Sequence, residues 1–243
     1  MNRYFYDLHV HSCLSPCADN DMTPNNIAGM AALKGLQIVA LTDHNSTKNC
    51  RAFFSAAKKN GIIPVAGMEM TTAEDIHIVC LFPTLESAEE FDREYQKYRV
   101  LYPNRVDIFG EQLILDENDE VTGEEENLLL NASTLSVQDA VELLAKYGAV
   151  TFPAHIDRDE NGMIAALGCI PEDPHFHCVE FRDNSSIEAY VAKYGLEGKR
   201  VVTDSDAHYL WDISEAENFL DLEDEPYSST LVRASLLRLL GGK

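Results

Sequence analysis

Tyr4-Phe5-Tyr6-Asp7-Leu8-His9-Val10-His11 opens the chain's first apolar run, Tyr4 to Val10, and ends it in His-x-His. Alternate residues of a strand face the same way, so a buried strand here delivers two imidazoles to one side of its far end. The pattern recurs along the chain. Ile38-Val39-Ala40-Leu41 runs into Asp43 and His44, Ile62 to Ala66 into Glu69, Ala149 to Pro153 into His155, and Arg200 to Thr203 into Asp206 and His208. His77 lies in a run from Ile76 to Leu81, and Cys178 to Phe181 completes seven buried strands.

Helical segments with local start and stop signals separate these runs. Thr23 caps and Pro24 opens a helix closed by Gly35, a second spans about Ser46 to Asn60 before Gly61, and Ser136 caps one that ends at Gly148. Further helices are predicted over Glu86 to Leu101, Ser186 to Tyr194 and Ser229 to Leu240. Short apolar runs alternating with helices give the α/β class with parallel layering. Seven strands suit an incomplete or distorted barrel better than an eightfold one. Residues 102–135 break the rhythm, with a hairpin and polar turn at Leu113 to Val121. The reading is one domain over residues 1–243, carrying an insertion at about 85–135.

The balance of 19 Lys and Arg against 41 Asp and Glu gives a net charge of −22. Such a surface repels a polyphosphate backbone, so long nucleic acid is not expected as a partner. The six cysteines form no C-x-x-C pair, the opening Met-Asn-Arg-Tyr is no apolar signal, and no stretch is apolar enough to span a membrane. A cytoplasmic protein with free thiols is expected.

In a parallel barrel the C-terminal ends of the strands meet on one face, where such folds place their chemistry. His, Asp and Glu at so many strand ends therefore converge, and an imidazole and carboxylate set without thiolate suits Zn²⁺, Mn²⁺ or Fe²⁺. His175 and His177 form a second His-x-His, but they precede the strand at Cys178 and belong at the opposite end. Arg158 and Arg182 are candidates to clamp a phosphate, or ordinary surface ion-pair partners.

His9-x-His11, Thr42-Asp43-His44, Glu69, His155 and the closing Asp206-x-His208 resemble the motif blocks of the PHP superfamily, named for polymerase and histidinol phosphatase. The likeness runs from the first strand to His208, is weak between about residues 83 and 135 and is absent in about the last thirty residues. It implies a distorted seven-stranded (β/α) barrel holding two or three divalent metals. One metal would take His9, His11, Glu69 and Asp206. A second would share Glu69 with His77 and His155, and a third would take His44, His208 and a loop group, Asp19 in preference to Asp21. Asp43 would orient an imidazole and not bind metal itself. The implied activity is hydrolysis of a small phosphate ester (a sugar, amino-alcohol or nucleotide phosphate) by attack of a metal-bound hydroxide on phosphorus, with Asp206 and His208 handling protons. The alternatives are a metal-dependent amidohydrolase and a non-catalytic PHP module.

Overall fold

The computed structural model of the chain describes residues 1–242; Lys243, the end of the expected domain, lies outside the described residues. Strand β1 (Asn2–Val10) leads through α1 (Pro24–Leu33) to β2 (Ile38–Leu41), and α2 (Cys50–Lys59) leads to β3 (Ile63–Thr71). Thr23 caps α1 by accepting the Asn26 N–H, and Pro24 supplies the fixed φ of the first turn. β4 (His77–Phe82), α3 (Leu85–Tyr95), α4 (Val106–Phe109) and the hairpin β5 (Leu113–Leu115) and β6 (Val121–Glu124) follow. After α5 (Val137–Ala145) come β7 (Val150–Pro153), α6 (Met163–Leu167), β8 (Cys178–Phe181), α7 (Ile187–Tyr194) and β9 (Arg200–Thr203). β10 (Phe219–Leu222) and α8 (Ser229–Leu240) close the chain.

The strands do not form seven parallel neighbours. Hydrogen bonds join six in the order β10-β1-β2-β3-β4-β7, while β8 and β9 form a separate parallel pair. β4 runs antiparallel to both β3 and β7, and β10 antiparallel to β1. The cause is the short link between β3 and β4, residues 72–76. A parallel pair needs a crossover of about a dozen residues or more, so this link permits only a turn back. The curled sheet is tied across its breaks by isolated contacts in place of ladders, among them a parallel bridge between Val10 and Ala207 and the Ile156 N–H donating to the Glu180 carbonyl at 2.9 Å.

Each face of the sheet has its own core. Tyr4, Tyr6 and Leu8 of β1 pack with Ile38, Ala40, Val65 and Val79 against Leu236 and Leu240 of α8, which plugs the interior from below. Val39, Leu41, Met68 and Cys80 face outward against α1, α2, α3 and α5. Along β1 the phase changes. The pairing with β2 steps from Asp7–Val39 to Val10–Leu41, one residue too many on β1, so Val10 joins the outer core although Leu8 is in the inner one. A bulge of this kind re-aims a side chain, and here it turns His9 and His11 inward above the apolar plug. Gly67, two residues before Glu69, lets three strands approach closely; a Cβ there would lie 2.6 Å from the Thr42 methyl and 3.0 Å from the Cys80 carbonyl oxygen.

Helix α3 belongs to the outer layer, because Ala88, Phe91 and Tyr95 are buried in the same core as β4 and α5. The excursion therefore starts after Tyr95, later than the expected residue 85. It folds back over the strand ends. Leu113 N–H donates to the Cys13 carbonyl at 2.9 Å, Arg99 pairs with the largely buried Glu125 at 3.2 Å, and Lys48 reaches the same carboxylate. Among the described residues no helix is long and apolar enough to cross a membrane.

Candidate metal centre

Every histidine except His175 and His177 converges at the mouth of the curled sheet, around Glu69. Glu69 Oε1 lies 2.7 Å from His77 Nδ1, 3.1 Å from His155 Nε2 and 3.3 Å from His9 Nε2. Its Oε2 lies 2.9 Å from His44 Nδ1 and 3.3 Å from His11 Nε2. His77 reaches this point because β4 runs backward: the first residue of an antiparallel strand sits at the same end as the last residues of β3, and His77 is paired with Thr71. Asp206 Oδ1 completes the floor, 3.2 Å from His11 Nε2 and 3.6 Å from His9 Nε2.

Three groups of side chains present ligand atoms close enough to hold a cation: His9 with His11, Glu69 and Asp206; His44 with Glu69 and His77; and His11 with His44 and His208. His155 touches Glu69 but stands outside the second group. His44 Nδ1, His77 Nδ1, His155 Nδ1 and Glu69 Oε2 are buried without a hydrogen-bond partner. Of these, His44 Nδ1 and His77 Nδ1 approach the Glu69 carboxylate closely without hydrogen-bond geometry, so they are aimed at shared points in space. Buried polar atoms are otherwise satisfied, so this donor set fits divalent metals bound by imidazole and carboxylate. Two candidate ligand positions carry backbone strain: His155 has φ 28 and Asp206 φ 49, values that non-glycine residues hold only when their surroundings enforce them.

The nitrogens facing away from the centre are fixed by hydrogen bonds. Ser15 Oγ donates its single hydrogen to Asp43 Oδ1 at 2.8 Å, so it can only accept from His11 Nδ1 at 3.0 Å. It also accepts the His44 N–H at 3.1 Å. Asp43 is thus not in contact with the imidazole; it acts through Ser15, and also accepts from Ser12. His208 Nδ1 donates to the Asp206 carbonyl at 2.8 Å, which leaves Nε2 for the cleft. Glu180, which the sequence reading passed over, receives His9 Nδ1 at 2.9 Å. Its signal was a lone carboxylate inside the apolar strand Cys178-Val179-Glu180-Phe181.

The electrostatics follow from burial and neighbours. Burial opposes a charge on His11, but hydrogen bonds to Asp206 and Glu69 lift its pKa to about 9. For His44 burial is again opposed, by the Cys17 thiol and Glu69 beside it, and the result is also about 9. His9 is raised well above its ordinary value against burial, by Glu180, Glu69 and Asp206. Burial and the neighbouring His11 bring His208 down to about 3, so it is neutral near pH 7. Glu69 and Asp206 stay ionised against burial because the imidazoles around them favour the anion.

Above the floor opens a cleft of about 240 Å³, walled by Leu130, Arg158, Glu160 and Asn161. Leu130 is the insertion's contribution. It is held by Asn45, whose side-chain amide donates to the carbonyls of Leu129 and Asn131 at 2.6 and 3.1 Å. Arg158 donates to Asp206 Oδ2 at 2.7 Å and Arg182 lies 3.5 Å from the same oxygen, both partly exposed. Asp206 therefore divides its two oxygens between the imidazoles and the arginines. Asp19 is not drawn into the three groups. Its N–H donates to the His208 carbonyl at 2.9 Å, while its carboxylate accepts the Asp21 N–H at 2.8 Å, and Asp21 itself is exposed. His175 and His177 line a different cavity at the far end of the sheet, against Thr151 and Leu237.

The family model of the PHP domain matches residues 7–170, and the chain belongs to that family. The 5'-3' exoribonuclease of Haemophilus influenzae is 32% identical over 99 residues, 40% of this chain and 32% of the relative, so the chain spans about a third of that protein. The lesion-specific endonuclease PfuEndoQ of Pyrococcus furiosus superposes over 99% of this chain and 56% of its own, with a TM-score of 0.64 and 18% identity. A candidate metal-dependent phosphoesterase from Bifidobacterium adolescentis matches over 96% of both chains, with a TM-score of 0.61 and 17% identity. At such identities these are likenesses of fold. They also overturn the expectation that long nucleic acid is not a partner. The same fold occurs in a structure of Endonuclease Q complexed with a 27-mer duplex substrate, at a TM-score of 0.59. Net charge averages the whole surface, whereas a substrate meets only the potential at the site.

Proposed function

We propose that the chain is a metal-dependent phosphoesterase whose floor residues hold up to three divalent metals and whose arginines bind the phosphoryl group. The observation that supports this best is Asp206, shared between the imidazole floor and two arginines at the cleft. Bound metals would supply Lewis acidity, activating water and offsetting charge on the phosphoryl oxygens. Within the chain, Glu69 bridges the five imidazoles carried by β1, β2, β4 and β7 or the residues just after them, and fixes their spacing. Arg158 and Arg182 orient phosphate oxygens over Asp206, a charge-assisted role that suits planar guanidinium groups. His208, neutral near pH 7, offers its Nε2 lone pair to the third site, and its Nδ1 bond to the Asp206 carbonyl keeps that nitrogen turned to the cleft. Asp19, on the loop tied to His208, is the nearest candidate to complete the third site.

The substrate class is phosphate esters. The relatives named as nucleases support including nucleotide and nucleic-acid phosphates beside sugar and amino-alcohol phosphates. The test is metal analysis of the purified protein, followed by a phosphate-release screen with Mn²⁺ across phosphomonoesters, phosphodiesters, short oligonucleotides and N-acyl compounds. Phosphate ester cleavage that disappears in Asp206→Ala is expected. Amide cleavage without phosphate ester cleavage refutes the reading in favour of amidohydrolase chemistry.

A further inference from the structure

Glu180 belongs to none of the three groups of candidate ligands, yet it is fully buried beside them. It lies two residues after Cys178, which faces the interior, so the alternation of β8 turns its side chain the same way. Oε1 and Oε2 stand 2.9 and 3.0 Å from His9 Nδ1, and Oε2 also accepts the His155 N–H at 3.0 Å. Among the described residues no lysine or arginine pairs with it, although a buried carboxylate without compensation is costly.

We propose that Glu180 is the positioning residue of the His9–His11–Glu69–Asp206 cluster, a role that rests on the metal-centre reading above. An ionised carboxylate only accepts hydrogen bonds. His9 therefore carries a hydrogen on Nδ1, and Nε2 is the nitrogen that faces Glu69, Asp206 and His11, at 3.3, 3.6 and 3.2 Å. Outer carboxylates of this kind fix the tautomer and raise the basicity of a ligating imidazole. Glu180 does a second thing that the sheet cannot. Among the described residues β8 has no hydrogen-bonded ladder to β7, and β9 has none to β1, where side-chain bonds such as Asp204 accepting the Leu8 N–H and the isolated Val10–Ala207 bridge make the join. One side chain on β8 thus registers a ligand of β1 against a ligand that follows β7, at the break in the sheet. The His155 backbone, at φ 28, is pinned by the same oxygen.

The test uses Glu180→Ala and Glu180→Gln. Glutamine keeps the shape and one acceptor oxygen, so it remains informative should alanine fail to fold. Mn²⁺ and Zn²⁺ affinities are measured by chelator competition, and histidine tautomers by ¹⁵N NMR of the metal-loaded protein. Asp224→Asn, at a largely buried carboxylate that bonds Asn2 and Tyr4, serves as the control for lost stability. The expected result is an affinity roughly ten- to a hundredfold lower for alanine, a smaller loss for glutamine, and disappearance of the His9 Nδ1–H tautomer signature in alanine. Wild-type affinity in folded Glu180 variants overturns the assignment, as does an equal affinity loss in Asp224→Asn. Wild-type protein that takes up no metal overturns this assignment together with the metal-centre reading. Metal uptake that depends on Glu180, without phosphate ester cleavage, refutes the phosphoesterase reading and leaves this assignment standing.

Discussion

Replacing Glu69 by Gln removes a charge and keeps a shape, so its effect on the metal-free protein isolates the electrostatics of the centre. Two imidazoles that Glu69 touches, His11 and His44, have pKa values raised from 6.5 to about 9. A histidine whose folded pKa lies above its unfolded value stabilises the fold fully below the unfolded value, and loses that contribution as pH rises through the folded one. The window is therefore pH 6.5 to about 9. At about 1.4 kcal/mol per unit, each ring carries on the order of 3 kcal/mol at its lower edge. Glu69 shares that work with Asp206 at His11 and with Cys17 at His44. The portion that vanishes in Glu69→Gln is then on the order of 3 kcal/mol for the two rings together. The assay is urea denaturation of both proteins in excess chelator, at the lower and upper edges of the window. The wild type should be the more resistant relative to the variant at the lower edge, and the difference should shrink by that amount at the upper edge. A difference that is independent of pH, or that grows with it, refutes the placement of imidazole protons against Glu69.

His44→Ala and Asp206→Ala should each lower turnover by about a hundredfold or more while the circular dichroism of the metal-free protein stays native-like; full activity in both sinks the site. Arg158→Ala should raise KM for a phosphate ester by roughly ten- to a hundredfold, as loss of a charge-assisted hydrogen bond implies. Arg182→Ala should raise it less, because Arg182 stands 3.5 Å from Asp206 where Arg158 stands 2.7 Å. Asn45→Ala should cost roughly 2–4 kcal/mol in denaturation experiments. It removes bonds to the Leu129 and Asn131 carbonyls and forces alanine into φ 52; an unchanged midpoint would show that the insertion does not depend on that tie.

The candidate ligands were legible because the signals that carry them are local. A run of apolar residues, a helix cap and a histidine at the run's end are each read within a few positions, and their order gives convergence once the strands share an end. What went wrong was direction. Treating all strands as parallel left His77 without an account, although residues 72–76 between β3 and β4 are too few for a crossover. The bulge that swings His9 and His11 inward could not be read, since it exists only in the pairing of β1 with β2. β10 was missed because Phe219-Leu220-Asp221-Leu222 is short and half polar, as an edge strand is. Helix α3 falls inside the expected insertion at about 85–135, although Ala88, Phe91 and Tyr95 mark one side of it as core.

The acidic composition misled for a related reason. A net charge of −22 treats all 41 Asp and Glu as surface, yet Asp7, Asp43, Glu69, Glu180, Asp204 and Asp206 are buried around the centre. Buried carboxylates project little repulsion into solvent when they are paired with imidazoles, backbone N–H groups or cations. What an approaching phosphate meets is the mouth itself, where Arg158 and Arg182 stand partly exposed. Screening confines the rest of the surface to about 8–10 Å at physiological salt. One phosphate at the end or in the middle of a polymer can therefore enter a locally attractive cleft while most of the chain that carries it stays beyond the range of the acidic surface. Total charge sets how tightly a long polyanion is held along its length; it does not decide whether a single phosphate of that polymer is a substrate.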